Sequence, residues 1–246
     1  MRNIKVILQY EGTRYQGWQR QDSTDNTIQG KLEDLLGRMC GRKVEVIGSG
    51  RTDAGVHAYG QTANFHIETE MELQEIMDYM NRYLPEDIAV IDIKEASERF
   101  HSRLNVKGKT YRYRVINSSI PHIFDRRYVH VVEEDLDMGA MERAAEILCG
   151  THDYRAFTSN KRSRKSTVRT VDSISIEKEG DEIRFTFRGN GFLYHMVRIM
   201  MGTLLEAGMH KRDAAQIAKL LEAGTREDAG YLAPAKGLTL VEVFYS

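Results

Sequence analysis

Residues 168–189 read VRTVDSISIEKEGDEIRFTFRG. Apolar and polar residues alternate on both sides of Gly180, the pattern of two half-buried strands joined by a turn. A hairpin makes neighbouring strands antiparallel, whereas a regular βαβ chain makes them parallel. The stretch therefore decides between two ways of assembling the chain's helices and strands. It predicts an α+β fold, with helices against one face of a mostly antiparallel sheet, over a doubly wound parallel one.

Outward from the hairpin, residues 109–116 (KTYRYRVI) read as a strand with Lys109, Tyr111, Tyr113 and Val115 on one face and Arg112 and Arg114 on the other. Residues 135–150, 193–208 and 211–224 carry helical spacing, and residues 238–245 form a last strand. In the helix at 193–208, Leu193, Val197, Met200, Met201 and Leu204 point inward. The first half has a similar grammar. Strands are predicted at 4–10, 44–47, 62–67 and 87–96, and helices at 27–40 and 72–83. Asn26 and Gln29 have the spacing of a capping box. Two related subdomains follow, 1–105 and 106–246.

The composition bounds the class. The chain has 246 residues, 41% of them hydrophobic, enough for a sizeable core. Its 35 basic and 36 acidic residues nearly cancel, so the sum does not announce a nucleic-acid binder. The distribution is uneven. Residues 99–114 hold six basic residues and no acid, interleaved with Phe100, Tyr111 and Tyr113, and residues 161–169 hold five basic residues and no acid. Basic side chains neutralise phosphates and rings stack on unpaired bases, so two such runs favour RNA over a merely solvated face. The two cysteines, Cys40 and Cys149, form no CxxC and read as buried thiols of a reducing compartment. No apolar run approaches the ~20 residues needed to span a bilayer. A soluble, cytoplasmic protein is expected.

Residues 48–61, GSGRTDAGVHAYGQ, pose the chemical question. In a dinucleotide fingerprint Asp53 would replace the third glycine and repel the pyrophosphate. The GK[ST] ending of a phosphate loop is missing. Asp53, His57 and His66 match no standard metal spacing. Two readings remain open on the residues alone: Asp53 caps the following turn, or it is a covalent nucleophile beside Arg51, with Gly50 and Gly55 allowing close substrate approach.

The same residues resemble the RTDxGVHA motif of the tRNA pseudouridine synthase A family. Residues 10–21 (YEGTRYQGWQRQ), 109–115 (KTYRYRV), 189–204 (GNGFLYHMVRIMMGTL) and 231–240 (YLAPAKGLTL) are similar to its other motifs, in order along essentially the whole chain. The resemblance implies two α+β subdomains sharing a mixed sheet, with the active-site cleft between them. It implies isomerisation of uridine to pseudouridine at positions 38 to 40 of the tRNA anticodon stem-loop, in a homodimer that uses no metal or cofactor. It makes Asp53 the nucleophile, Arg198 its basic partner, Tyr111 the ring packed on the target uracil, and Arg51 an RNA-contacting residue. Arg14, Gln19, Arg112, Arg114, Arg162 and Arg164 are further candidates for RNA contact. The rivals are a non-catalytic binder of structured RNA and a metal-dependent nucleic-acid hydrolase.

Overall fold

A computed structural model describes residues 1–160 and 165–246, so the candidates Arg162 and Arg164 lie outside the described residues. The chain divides into two compact units. The first opens with β1 (Arg2–Tyr10), α1 (Ile28–Cys40), β2 (Val46–Gly48), β3 (His57–Ile67), α2 (Leu73–Tyr83) and β4 (Ile88–Ala96). β1 runs antiparallel to β3, with Ile4 opposite Phe65, and to β4, with Val6 opposite Ile93. β2 adds to β3 with Val46 opposite Phe65. Ile4, Val6, Leu8 and Phe65 are fully buried, and α1 covers this core with Ile28, Leu32 and Leu36.

Helix α1 starts one residue later than the capping box at Asn26 predicts. Thr27 is extended and its hydroxyl accepts from Gly30 N at 3.1 Å, satisfying one of the orphan donors of the first turn. Asn26 instead turns its amide to the Arg14 carbonyl.

The second unit contains β5 (Gly108–Asn117), β6 (His130–Val132), α3 (Met138–Leu148), β7 (Gly150–Asp153), β8 (Val168–Glu179), β9 (Glu182–Gly189), α4 (Met196–Gly208) and α5 (Ala214–Ala223). β8 and β9 are the hairpin read from the sequence, with Gly180 at φ 59° in the turn. β9 also pairs antiparallel with β5, β7 pairs antiparallel with β8, and β6 lies parallel to β5. α4 starts at Met196 because His195 is left-handed, at φ 66°. Leu193 therefore precedes the helix rather than belonging to it.

The last strand, β10 (Leu238–Phe244), returns to the first unit. Thr239 and Leu240 pair in parallel with His57 and Ala58 of β3, and Lys107 N donates to Phe244 O at 2.8 Å. The units are thus residues 1–107 with 239–246, and residues 108–238, where the sequence alone divides the chain once near 105. Both units are α+β, and in each the strand pairings are mixed and mostly antiparallel. Among the described residues no helix is long and apolar enough to cross a membrane.

Candidate active site

The loop between β2 and β3 carries Asp53 and is fixed from behind by buried polar groups. Ser49 N donates to Thr62 O at 2.8 Å, and Ser49 Oγ to Gln61 Oε1 at 2.6 Å. Gln61 Nε2 donates to the Gly50 carbonyl at 3.1 Å. The Tyr10 hydroxyl lies 2.9 Å from Thr52 Oγ1. Burial pushes the Tyr10 phenol up to about 12, so it stays protonated. Ser49, Thr52 and Gln61 are buried, so each of these bonds replaces one to water that folding removed.

A second loop, residues 11–18, holds the same stretch from another side. Trp18 N donates to Thr52 O at 3.0 Å, and Gly55 N to Tyr15 O at 3.3 Å. Gly17 is left-handed at φ 88°, and a Cβ there would stand 2.6 Å from Thr52 O. A Cβ on Gly12 would stand 2.0 Å from Val56 O. The glycines of residues 10–21 thus let one backbone lie directly on another. Trp18, 2% exposed, packs its ring over Gly48 and is an anchor for this loop.

Gly12 N donates to His57 Nδ1 at 3.0 Å. An imidazolium would carry a proton on that nitrogen, so His57 is the neutral Nε2–H tautomer. Its 3.5 Å approach to Glu11 is therefore not an ion pair.

Asp53 is half-buried, and Arg51 beside it is exposed. Arg51 Nε donates to Gln19 Oε1 at 3.0 Å. Gln19 Nε2 donates to Gln29 Oε1 at 2.8 Å, and Gln29 Nε2 donates to Glu33 Oε1 and Val46 O, both at 3.0 Å. A relay of side-chain amides thus runs from the buried face of α1 to the Arg51 guanidinium. Sequence reasoning missed Gln29 and Glu33. The available signal was a polar i, i+4 pair beside the apolar stripe of Leu32 and Leu36.

The second unit places Tyr111 on β5, 8% exposed, its ring edge-on to Phe192 at 5.4 Å. Arg198 is the third residue of α4 and half-buried. Its Nε donates to Ala233 O at 2.7 Å, and its own carbonyl accepts from Ala233 N at 3.2 Å. Tyr113, fully buried, donates to Pro234 O at 2.7 Å. Burial raises its phenol pKa well above the ordinary value, which keeps the donor in place. These bonds tie Ala233 to α4 and Pro234 to β5.

The other RNA-contact candidates differ in their engagement. Gln19 joins the Arg51 relay. Arg14 turns to Asp87 at 3.2 Å and Glu86 at 3.4 Å. Arg114 grips Glu182 with Nε at 2.7 Å and Nη2 at 3.2 Å, and holds that carboxyl below its usual range. Arg112 is half-buried, with no hydrogen-bond partner for Nε among the described residues. Among the described residues, no group of three or more His, Cys, Asp and Glu side chains could hold a metal ion.

The sequence family described as tRNA pseudouridine synthase matches residues 6–105 and 144–246. The chain belongs to that family. It is 45% identical over 240 residues to the tRNA pseudouridine synthase A of Bacillus sp. strain KSM-64, covering 98% of each chain. It is 46% identical to tRNA pseudouridine synthase A 1 of Clostridium tetani and 44% to the tRNA pseudouridine synthase A of Acetivibrio thermocellus, over 245 residues and the full length of each. The protein is an isomerase that modifies RNA.

Proposed function

We propose that the protein converts uridine to pseudouridine at positions 38 to 40 of the tRNA anticodon stem-loop, with Asp53 as nucleophile. The observation that carries this reading is the backbone around Asp53: Trp18 N donates to Thr52 O at 3.0 Å, Gly55 N to Tyr15 O at 3.3 Å and Val56 N to Asp53 O at 3.1 Å. The carboxylate rides on a backbone held from two sides, the condition a positioned nucleophile needs.

A base inside a stem hides C1′ and C6, so the nucleotide must be everted, at a cost of a few kcal/mol. Tyr111 returns about 1–3 kcal/mol by packing on the uracil, and Phe192 fixes the plane of that ring. With Asp53 engaged, the C1′–N1 bond breaks. The freed uracil turns and C5 bonds to C1′. N1 gains a proton and C5 loses one, so the product is an isomer. Arg198 is the basic residue assigned to the same chemistry, and Arg51 contacts the RNA from the end of its relay. Gln19, Arg112, Arg14 and Arg114 are secondary contacts, the last two weakened by their ion pairs. The proposal includes a cytoplasmic homodimer that uses neither metal nor cofactor.

The test is mass-silent modification of transcribed tRNA, read by carbodiimide labelling. Label is expected at positions 38 to 40 and lost when those uridines are replaced by cytidine. Binding without label would leave an RNA-binding protein. Label elsewhere would refute the assigned positions.

A further inference from the structure

The segment between β9 and α4 carries two ring pairs. Phe192 backs Tyr111. The other pair, Tyr194 and His195, has no role in the chemistry above. Tyr194 is 54% exposed. It lies on the His195 ring with centroids 3.7 Å apart and planes 27° from parallel. The Tyr194 carbonyl accepts from Thr158 Oγ1 at 3.1 Å and from Ser159 N at 3.3 Å. His195 Nδ1 lies 2.9 Å from Ser159 Oγ.

His195 holds this pose at φ 66°, in the left-handed region that non-glycine residues enter at a cost. Such strain persists where the surroundings impose it. Here residues 158 and 159 impose it with three hydrogen bonds. A single exposed tyrosine is ordinary on a protein surface. One clamped by a strained neighbour, four residues before Arg198, is a presented surface.

We infer that Tyr194 is a stacking site for a second, unpaired nucleobase of the RNA substrate, adjacent to the everted nucleotide. The inference rests on the proposed RNA isomerase activity. Eversion strips one stacking face from each neighbour of the flipped base. A base set on Tyr194 would recover that contact and extend a two-ring stack to three. One face of the ring is already packed on His195, which lowers the side-chain entropy left to lose on binding. Any base has a face to offer, which suits an enzyme acting at more than one position.

The test uses the full-length protein and anticodon stem-loops with 2-aminopurine on either side of the target uridine. Wild type and Tyr194→Phe should quench one of the two labels on binding. Tyr194→Ala and Tyr194→Leu should lose that quench and raise KM roughly five- to hundredfold, with kcat changed less than threefold. Ser159→Ala, which removes the Oγ contact of His195 Nδ1, should fall between. Unchanged quench and KM in Tyr194→Ala, alongside normal turnover by wild type, would overturn the inference alone. A fall confined to kcat would also overturn it. Failure of wild type to bind or modify the RNA would remove both the inference and the reading beneath it.

Discussion

The loop that carries Asp53 and the elements that carry Tyr111 and Arg198 are held in place by different means. Asp53 itself lies on no helix or strand. Position comes from main-chain bonds between two loops, from glycines that let the chains touch, and from Tyr10, Gln61 and Thr62 on the neighbouring strands. Tyr111 and Arg198 stand on a strand and a helix whose geometry is set by ladders and apolar packing, with left-handed residues, His195 and His210, flanking the helix. The difference teaches where damage shows. A fault in the loops displaces the Asp53 carboxylate, the proposed nucleophile, while the core survives. A fault near β5 or α4 first appears as lost stability.

Gly12→Ala should test that contrast most severely. Its Cβ meets the Val56 carbonyl at 2.0 Å, backbone against backbone, so one loop must move. A shift of about 1 Å can cost on the order of a hundredfold in rate. We expect kcat/KM to fall by about that factor with a cooperative melt retained. Wild-type activity would show that the loops are not mutually templated.

Gln29→Leu comes next. It removes the donors to Glu33 and Val46 and the acceptor of Gln19, at a cost of about 1–3 kcal/mol in denaturant unfolding. It should also raise KM severalfold, because Arg51 loses its orientation. Gln29→Glu keeps the acceptor for Gln19 and should recover part of the KM effect but not the stability. Equal losses in both variants would make Gln29 a core residue only.

In the second unit, Tyr113→Phe removes the donor to Pro234 and should cost about 1 kcal/mol, with kcat within twofold of wild type. A large kcat loss would break the contrast between the units.

The smallest effect is a pH dependence. His130 has its pKa lowered by burial, then by Lys236, against a weaker opposing pull from Glu134. The unfolded chain therefore takes the proton first, so the contribution is present above the ordinary histidine value of about 6.5 and is lost as pH falls below it. Melting of wild type from pH 7.5 to 5.5 should show a slightly steeper decline than His130→Gln. Parallel curves would remove His130 as a contributor.

Much of this was legible in the sequence wherever the determinant is local. The hairpin at Gly180, the alternation of β5 and the loop around Asp53 are set by a few neighbouring residues. β6 and β7 are too short to show a period. β10 joins the first unit through a parallel pairing with β3, a contact far away in sequence. The cap of α1 moved by one residue because Thr27 and Asn26 are both competent, and only the backbone angle chooses. Of the candidate site, the motifs named Asp53, Arg51, Tyr111 and Arg198. The relay through Gln29 and the clasp between Arg198 and Ala233 depend on distant partners that no spacing reveals.

The most direct measurement compares Asp53→Asn with wild type in tRNA affinity, melting temperature and pseudouridine formed per enzyme. The account predicts an unchanged dissociation constant, an unchanged melt and no pseudouridine. Clear turnover by Asp53→Asn, measured in a preparation free of wild-type enzyme, would contradict it.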